Sequence, residues 1–357
     1  MNASITELKK DLHQSNIRKA IVIIASLILL VLVILISISV GSIHMSLEEV
    51  INVLFFGQKT IVGPYGKPID VQNVVFNLRL PRVLCAMLIG AALAVSGAAM
   101  QGIFRNPMAS PSVLGISSGA AFGACITLVL GFSIASGSFA IPAMAFIFSF
   151  ITLFLVYSMA RTKMGVPISM LLLSGIAVGA FFNGLVSLLQ YYSGDKLKGV
   201  VFWLMGDLSS CGWDQFYIIL LPILVGLVIL MFYSKELNLL SLGDDQATNL
   251  GVNVERTRII ILIASALAVA GAVSVCGIIG FVGLIVPHIF RMLLGPDHRF
   301  LIPMSIVGGA IFMVIMDTLS RVVVEPSELP VGILTAILGA PFFIYILRTR
   351  KKEIWGN

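Results

Sequence analysis

Residues able to do chemistry are few in this chain, and none is spaced for it. The four histidines, His13, His44, His288 and His298, share no metal-ligand spacing. Cys85, Cys125 and Cys276 sit in apolar runs and Cys211 lies near the outer end of one; with no Cys-x-x-Cys pair, all four read as small packing residues. The one Gly-Lys pair, Gly66-Lys67, is followed by Pro68 and lacks the Ser or Thr of a phosphate loop. Asp317 has Arg321 four residues on, the spacing of an intrahelical ion pair. His288, in VPHIFR, is the one ionisable residue placed well inside an apolar run; a satisfied core or interfacial histidine is the reading set ahead of a proton relay. No cluster of nucleophile, acid or metal ligand falls within the apolar runs, which argues against a membrane-embedded enzyme.

What the sequence offers in place of a reaction is a surface. Residues 235–258 (KELNLLSLGDDQATNLGVNVERTR) form a polar, Gly-punctuated interruption in an otherwise almost continuously apolar chain. The segment reads as a short helix opened by Ser241 or by Asp244 and Asp245, acidic groups that suit the N-terminal end of the helix dipole, and closed by Gly251. A polar helix held between two membrane spans can transmit force from a soluble partner.

The elements that position this segment follow from composition. Hydrophobic residues make up 58% of 357 positions and charged residues 11%, with a mean hydropathy of +1.04, whereas a soluble domain carries about 25% charged residues. The chain is therefore an integral membrane protein. A helix needs about 20 apolar residues to cross the hydrocarbon core, and ten runs qualify: 20–42, 83–104, 112–132, 138–160, 166–190, 216–234, 259–276, 278–292, 300–321 and 331–347. The run at 278–292 is short and Gly-rich, so burial by neighbouring helices is expected there. The predicted class is all-α and polytopic: a cytoplasmic segment 1–19, one transmembrane domain 20–347 with a loop at 236–258, and a basic tail 348–357.

Of the 23 Lys and Arg, an inside N-terminus places sixteen in cytoplasmic segments and leaves Lys59, Lys67, Arg79, Arg82, Lys196, Lys198 and Arg321 outside. That asymmetry puts both termini in the cytoplasm. It also accounts for the net charge of +6 without nucleic acid. The charged stretch before the first apolar run, and the length of that run, point to an uncleaved anchor. Ion-coupled transporters keep charges inside the bundle to bind or relay the driving ion; nearly every run here lacks one. With no phosphate loop either, the power has to come from elsewhere. Gly115, Gly119 and Gly123 make a doubled GxxxG stripe, and Gly175 and Gly179 a second that continues near Gly184. Such stripes serve static packing, or leave room for helices to slide or line a path.

Four blocks then carry a resemblance: LRLPRVLCAMLIGAALAVSGAAMQGIFRNPMASPSVLGISSGAAFG from Leu78, SLGDDQATNLGVN from Ser241, GFVGLIVPHIFRMLLGPDHR from Gly280, and ELPVGILTAILGAPFFIYILR from Glu328. In these blocks, and over essentially its full length, the chain resembles the FecCD-type permeases of ABC importers, which include iron-siderophore, haem and vitamin B12 permeases. The resemblance implies that the loop between the sixth and seventh spans docks on an ATPase subunit, with Ser241, Leu242, Gly243, Asp244, Ala247, Leu250 and Gly251 as contact or shaping positions. It implies that Arg79, Arg82 and Arg321 receive glutamates of an external binding protein; interface anchoring is their plainer reading. It also implies that 167–207 lines and gates the path, with Asn183, Ser187, Gln190 and Tyr191 as candidates and Tyr192 beside them.

The expected assembly is this chain, a second permease chain alike or related, two cytoplasmic ATPases that bind ATP and Mg, and a binding protein carrying a metal chelate. A ferric siderophore is the first cargo, with haem and cobalamin behind it. No cofactor or metal is expected on the chain itself, and the resemblance implies a multi-pass protein of the bacterial cytoplasmic membrane.

Overall fold

In hydrocarbon each backbone N–H and C=O has to be satisfied within its own segment, so runs as apolar as these fold as helices. The computed structural model describes residues 2–354 except 42, 44, 63–67 and 164. His44, Gly66, Lys67 and the last three residues of the basic tail lie outside the described residues.

Helix α1 (Asn2–Ser39) leads to a short α2 (Leu47–Phe56), opened by a capping box between Ser46 and Glu49, and to a small antiparallel hairpin of β1 (Thr60–Val62) and β2 (Pro68–Asp70). One turn of helix, α3 (Val71–Asn73), runs through a π-helical stretch, Val74–Arg79, into α4 (Leu80–Phe104). There follow α5 (Ile116–Cys125), α6 (Ala140–Ala160), α7 (Ile168–Tyr192), α8 (Leu197–Leu204) and α9 (Trp213–Phe232). Two short helices, α10 (Ser234–Ser241) and α11 (Asp244–Asn249), precede α12 (Val254–Cys276), α13 (Val282–Leu294), α14 (His298–Val322) and α15 (Val331–Ile354).

Seven helical stretches among the described residues are long and apolar enough to cross a membrane, and three shorter apolar ones, Ile116–Leu130, Val282–Leu294 and Val331–Ile346, account for the rest of the ten predicted runs. Sequence reading singled out one short run, and the structure has three. The second spanning stretch also begins at Val71 rather than at 83. At 13 residues α13 rises roughly 20 Å, short of a core about 30 Å thick. The segment before it is held by protein, as non-helical backbone at membrane depth requires. The Cys276 carbonyl takes the Asp207 N–H at 2.8 Å, Gly332 N–H donates to the Gly206 carbonyl, and Ile279 is buried.

Small residues put α4 at the centre. Its faces are buried against α14, α12, α13 and α9. A Cβ on Gly90 would lie 2.1 Å from the Gly309 carbonyl oxygen, and one on Gly97 would lie 2.0 Å from that of Gly283, so α14 and α13 cross α4 backbone to backbone. Close packing also describes Gly119, Gly123 and Gly175, where a Cβ would meet Thr152, Met144 and Val113 within 2.3 Å, whereas Gly184 faces open space.

Candidate functional site

At the end that basic-residue counting assigns to the outside, Arg79 closes the π-helical stretch, Arg82 lies in the first turn of α4 and Arg321 in the last turn of α14. The three meet around a cavity of about 600 Å³ that Asn77, Glu325 and Glu328 also line. All three are buried. Arg79 Nη1 donates to the carbonyls of Ile38 and Ser39, and its Nη2 to that of Ile43. Arg321 Nη1 donates to the carbonyls of Ser37 and Val40 at 3.1 and 3.0 Å, and its Nη2 to Ser37 Oγ at 2.6 Å. Two of the three guanidiniums therefore satisfy the carbonyls left unpaired at the C-terminus of α1, where a cation also suits the helix dipole.

Arg82 is committed differently. Its Nε donates to Asp317 Oδ1 at 2.9 Å and its Nη1 to Glu328 Oε2 at 2.8 Å, while Nη2 has no hydrogen-bond partner among the described residues. Asp317 is wholly buried, and Arg321 Nε lies 3.3 Å from its Oδ2. The intrahelical pair predicted from the i, i+4 spacing is present, but it is the smaller part of the arrangement. The partner that sequence reading missed is Arg82, 235 residues away, for which no local pattern exists. Sequence reading treated the three arginines as accessible docking groups; the structure brings them together but holds each in an internal bond.

At the opposite end the polar segment folds as two helices rather than one. Ser241 does not open a helix: it closes α10, its hydroxyl donating to the Asn238 carbonyl at 2.7 Å. Gly243, at φ +124°, makes the turn that lets α11 start at Asp244. Gly251, at φ +88°, ends it: Gly251 N–H donates to the Thr248 carbonyl and Val252 N–H to that of Ala247, the paired bonds of a Schellman motif. Leu242 and Leu250 are exposed, by 55% and 60%, which gives a surface outside the spans two apolar contacts. Ala247 is fully buried, so it shapes the helix and cannot be a contact.

Two ties hold this pair of helices to the bundle. Asn238 of α10 donates to Asp297 Oδ1 at 2.7 Å and accepts from the His298 backbone N–H at 2.8 Å, at the start of α14. Asp244 of α11 takes Arg105, at the C-terminus of α4, and Arg258 Nη2, at 3.0 and 2.9 Å. Arg105 and Arg258 entered the sequence reading only as cytoplasmic charges; Asp244, expected at the docking surface, faces them.

Helix α7 buries one stripe, Leu171, Ser174, Gly175, Val178, Gly179, Phe182 and Val186. The other face carries Asn183, Ser187 and Tyr191, all uncovered, with Gln190 half-buried and Tyr192 exposed. Ser187 Oγ donates to the Asn183 carbonyl at 3.0 Å, which lowers the cost of a hydroxyl at membrane depth. His288 is buried, with its ring 6.5 Å from that of Phe342 of α15. No group of three His, Cys, Asp or Glu that could hold a metal occurs among the described residues.

Several known proteins are similar to this chain. The cobalamin import system permease protein BtuC of Halobacterium salinarum is 43% identical over 287 residues, covering 80% of this chain and 76% of that one. The hemin transport system permease protein HmuU of Yersinia pestis is 41% identical over 287 residues, 80% of this chain and 86% of that one. A solved ABC transporter in an inward-facing conformation, described as of metal-chelate type, superposes with a TM-score of 0.79 at 36% identity, covering 92% of this chain and 99% of that one. The model of the FecCD transport family matches residues 29–349. The chain therefore belongs to the FecCD transport family of ABC importer permeases.

Proposed function

We propose that this chain is half of the membrane channel of a metal-chelate importer and that its cargo is a ferric siderophore. The observation that carries the reading is the α10–α11 pair. Outside the spans, two short helices tied to three parts of the bundle offer exposed Leu242 and Leu250, as a docking element for a soluble motor requires. The motor is a pair of cytoplasmic ATPases that hold ATP and Mg. Their closure moves α11, with Gly243 and Gly251 shaping the contact and Leu242 and Leu250 making it.

The uncovered face of α7 with Asn183, Ser187, Gln190 and Tyr191 lines a path completed by a second permease chain, alike or related. A weakly polar wall suits alternating access, because a wall that bound the chelate tightly would also retain it. Selection then rests with an external binding protein that docks over Arg79, Arg82 and Arg321. The chain performs no covalent chemistry and works in the bacterial cytoplasmic membrane. A metal tetrapyrrole is the second reading of the cargo, favoured by the relatives named for cobalamin and hemin.

The test is to purify the chain with its ATPase and binding protein and to measure ATP-driven uptake of a ferric hydroxamate, hemin and cobalamin in liposomes. Uptake of the ferric chelate alone supports the first reading. Uptake of hemin or cobalamin in its place supports the second.

A further inference from the structure

Asp244 and Arg258 form a link whose far end has no place in the docking reading. Arg258 lies in the first turns of α12, with its side chain 6% exposed. Nη2 donates to both oxygens of Asp244, at 3.0 and 2.9 Å, and Nη1 donates to the Val166 carbonyl at 3.0 Å. Val166 is buried and stands one residue before Pro167, which opens α7. One planar guanidinium thus joins the first residue of α11 to the chain entering α7. A fork of fixed geometry can hold two acceptors in register, whereas a lysine ammonium is a point charge on a flexible stem. Arg105 holds Asp244 from the other side, at the end of α4. The Asp244 carboxylate has 45% of its surface open, so water reaches the carboxylate side of the joint while Arg258 lies buried behind it.

We propose that Arg258 is a positioning residue that carries the displacement of α11 to the root of α7, with Asp244 as its grip on α11 and the Val166 carbonyl as its grip on α7. This rests on the docking role of α11. It goes further in that Asp244 acts inward, on the bundle, and not on the ATPase. Movement of α11 pulls on Arg258, and Arg258 moves the segment from which the polar face of α7 extends.

The experiment uses the full transporter in liposomes with its ATPase and loaded binding protein. It compares wild type with Arg258→Lys, Asp244→Asn and the double variant. Arg258→Lys keeps the charge and the pair with Asp244 but loses the fork to Val166. Expected for each single variant are ATPase co-purification within twofold of wild type, ATP hydrolysis within threefold, and uptake reduced at least tenfold. The double variant should be no worse than the singles. Asp244→Glu, which can still reach the fork, should restore part of the uptake.

Because burial of Arg258 makes misfolding a concern, Arg105→Gln, at a partly exposed position, is measured alongside and should lower uptake less than Arg258→Lys does. Normal uptake by Arg258→Lys overturns the proposal. So does loss of ATPase co-purification by Asp244→Asn but not by Arg258→Lys, which would make Asp244 a direct contact. A failure of the docking role is separable, since Leu250→Asp and Leu242→Asp would then leave ATPase co-purification intact.

Discussion

Each end of the bundle sets an aspartate between two arginines, and the two triads live in opposite surroundings. Outside, Asp317 is wholly buried between Arg82 and Arg321, side chains that are themselves 10% and 6% exposed. Inside, Asp244 is nearly half open between a buried Arg258 and an exposed Arg105. Removing one partner of a buried pair strands the other charge in a poor dielectric; removing one at the surface lets water replace it. The same chemistry therefore fixes α1, α4 and α14 together at one end and makes a joint at the other.

The largest effect should come from Asp317→Asn. It leaves Arg82 and Arg321 facing each other with no buried carboxylate, and should cost about 3–5 kcal/mol, read as a large fall in the thermal midpoint of the detergent-solubilised chain. Asp244→Asn, the matching change at the inner end, should cost less than Asp317→Asn, because water reaches the Asp244 carboxylate, while uptake collapses. Equal midpoints for the two variants would erase the contrast.

Next in size is Arg321→Gln. As surface docking groups, Arg79 and Arg321 would leave detergent stability little changed on charge reversal. Their bonds to the last carbonyls of α1 revise that expectation. Losing the charged donors should cost about 2 kcal/mol, and a protease should cut the segment after Ser39 faster. An unaltered midpoint and digestion pattern would return Arg321 to a pure docking role.

Much of this was legible in the sequence. Ten apolar runs, the interrupting polar segment and its closure at Gly251 were readable because hydropathy, caps and positive-φ glycines are local signals. Lost were contacts between residues far apart in the chain. Arg82 meets Asp317 and Arg105 meets Asp244 only through the packing of α4, and no periodicity marks those pairs. Of the two roles open to Ala247, contact or shaping, burial leaves shaping, which its polar neighbourhood in the sequence does not reveal. Of the two openings read for this helix, Asp244 holds and Ser241 does not: a serine followed by Gly243 and two aspartates looks like an N-cap, yet glycine at φ +124° sets the break after it.

A smaller effect separates Arg82 from its two neighbours. Glu328, 39% exposed, occupies Arg82 Nη1 at the cavity, so an incoming carboxylate of a binding protein has to displace it. Glu328→Gln should change stability by less than about 1 kcal/mol and raise binding-protein affinity by up to about fivefold. Lower affinity in a pull-down titration would show that Glu328 assists docking.

The smallest effect lies at the inner rim. Arg299 donates to Asp297 and holds its carboxyl below the usual carboxylate range, with the Asn238 amide adding to this. A depressed carboxylate contributes stability above its unfolded value of about 4, and the contribution fades as the pH falls through the folded value. Asp297→Asn should therefore lower stability modestly at neutral pH and flatten the stability profile below about pH 4. Unchanged stability at neutral pH, or a drop confined to low pH, would reject the assignment.

The account turns on where the power comes from, and reconstitution tests this most directly. In liposomes the chain with a second permease chain, alike or related, the ATPase and a loaded binding protein should accumulate chelate when ATP is supplied. Without the ATPase, neither a proton nor a sodium gradient should drive uptake. Accumulation driven by a gradient in the permease alone would contradict the account and make the chain an ion-coupled transporter.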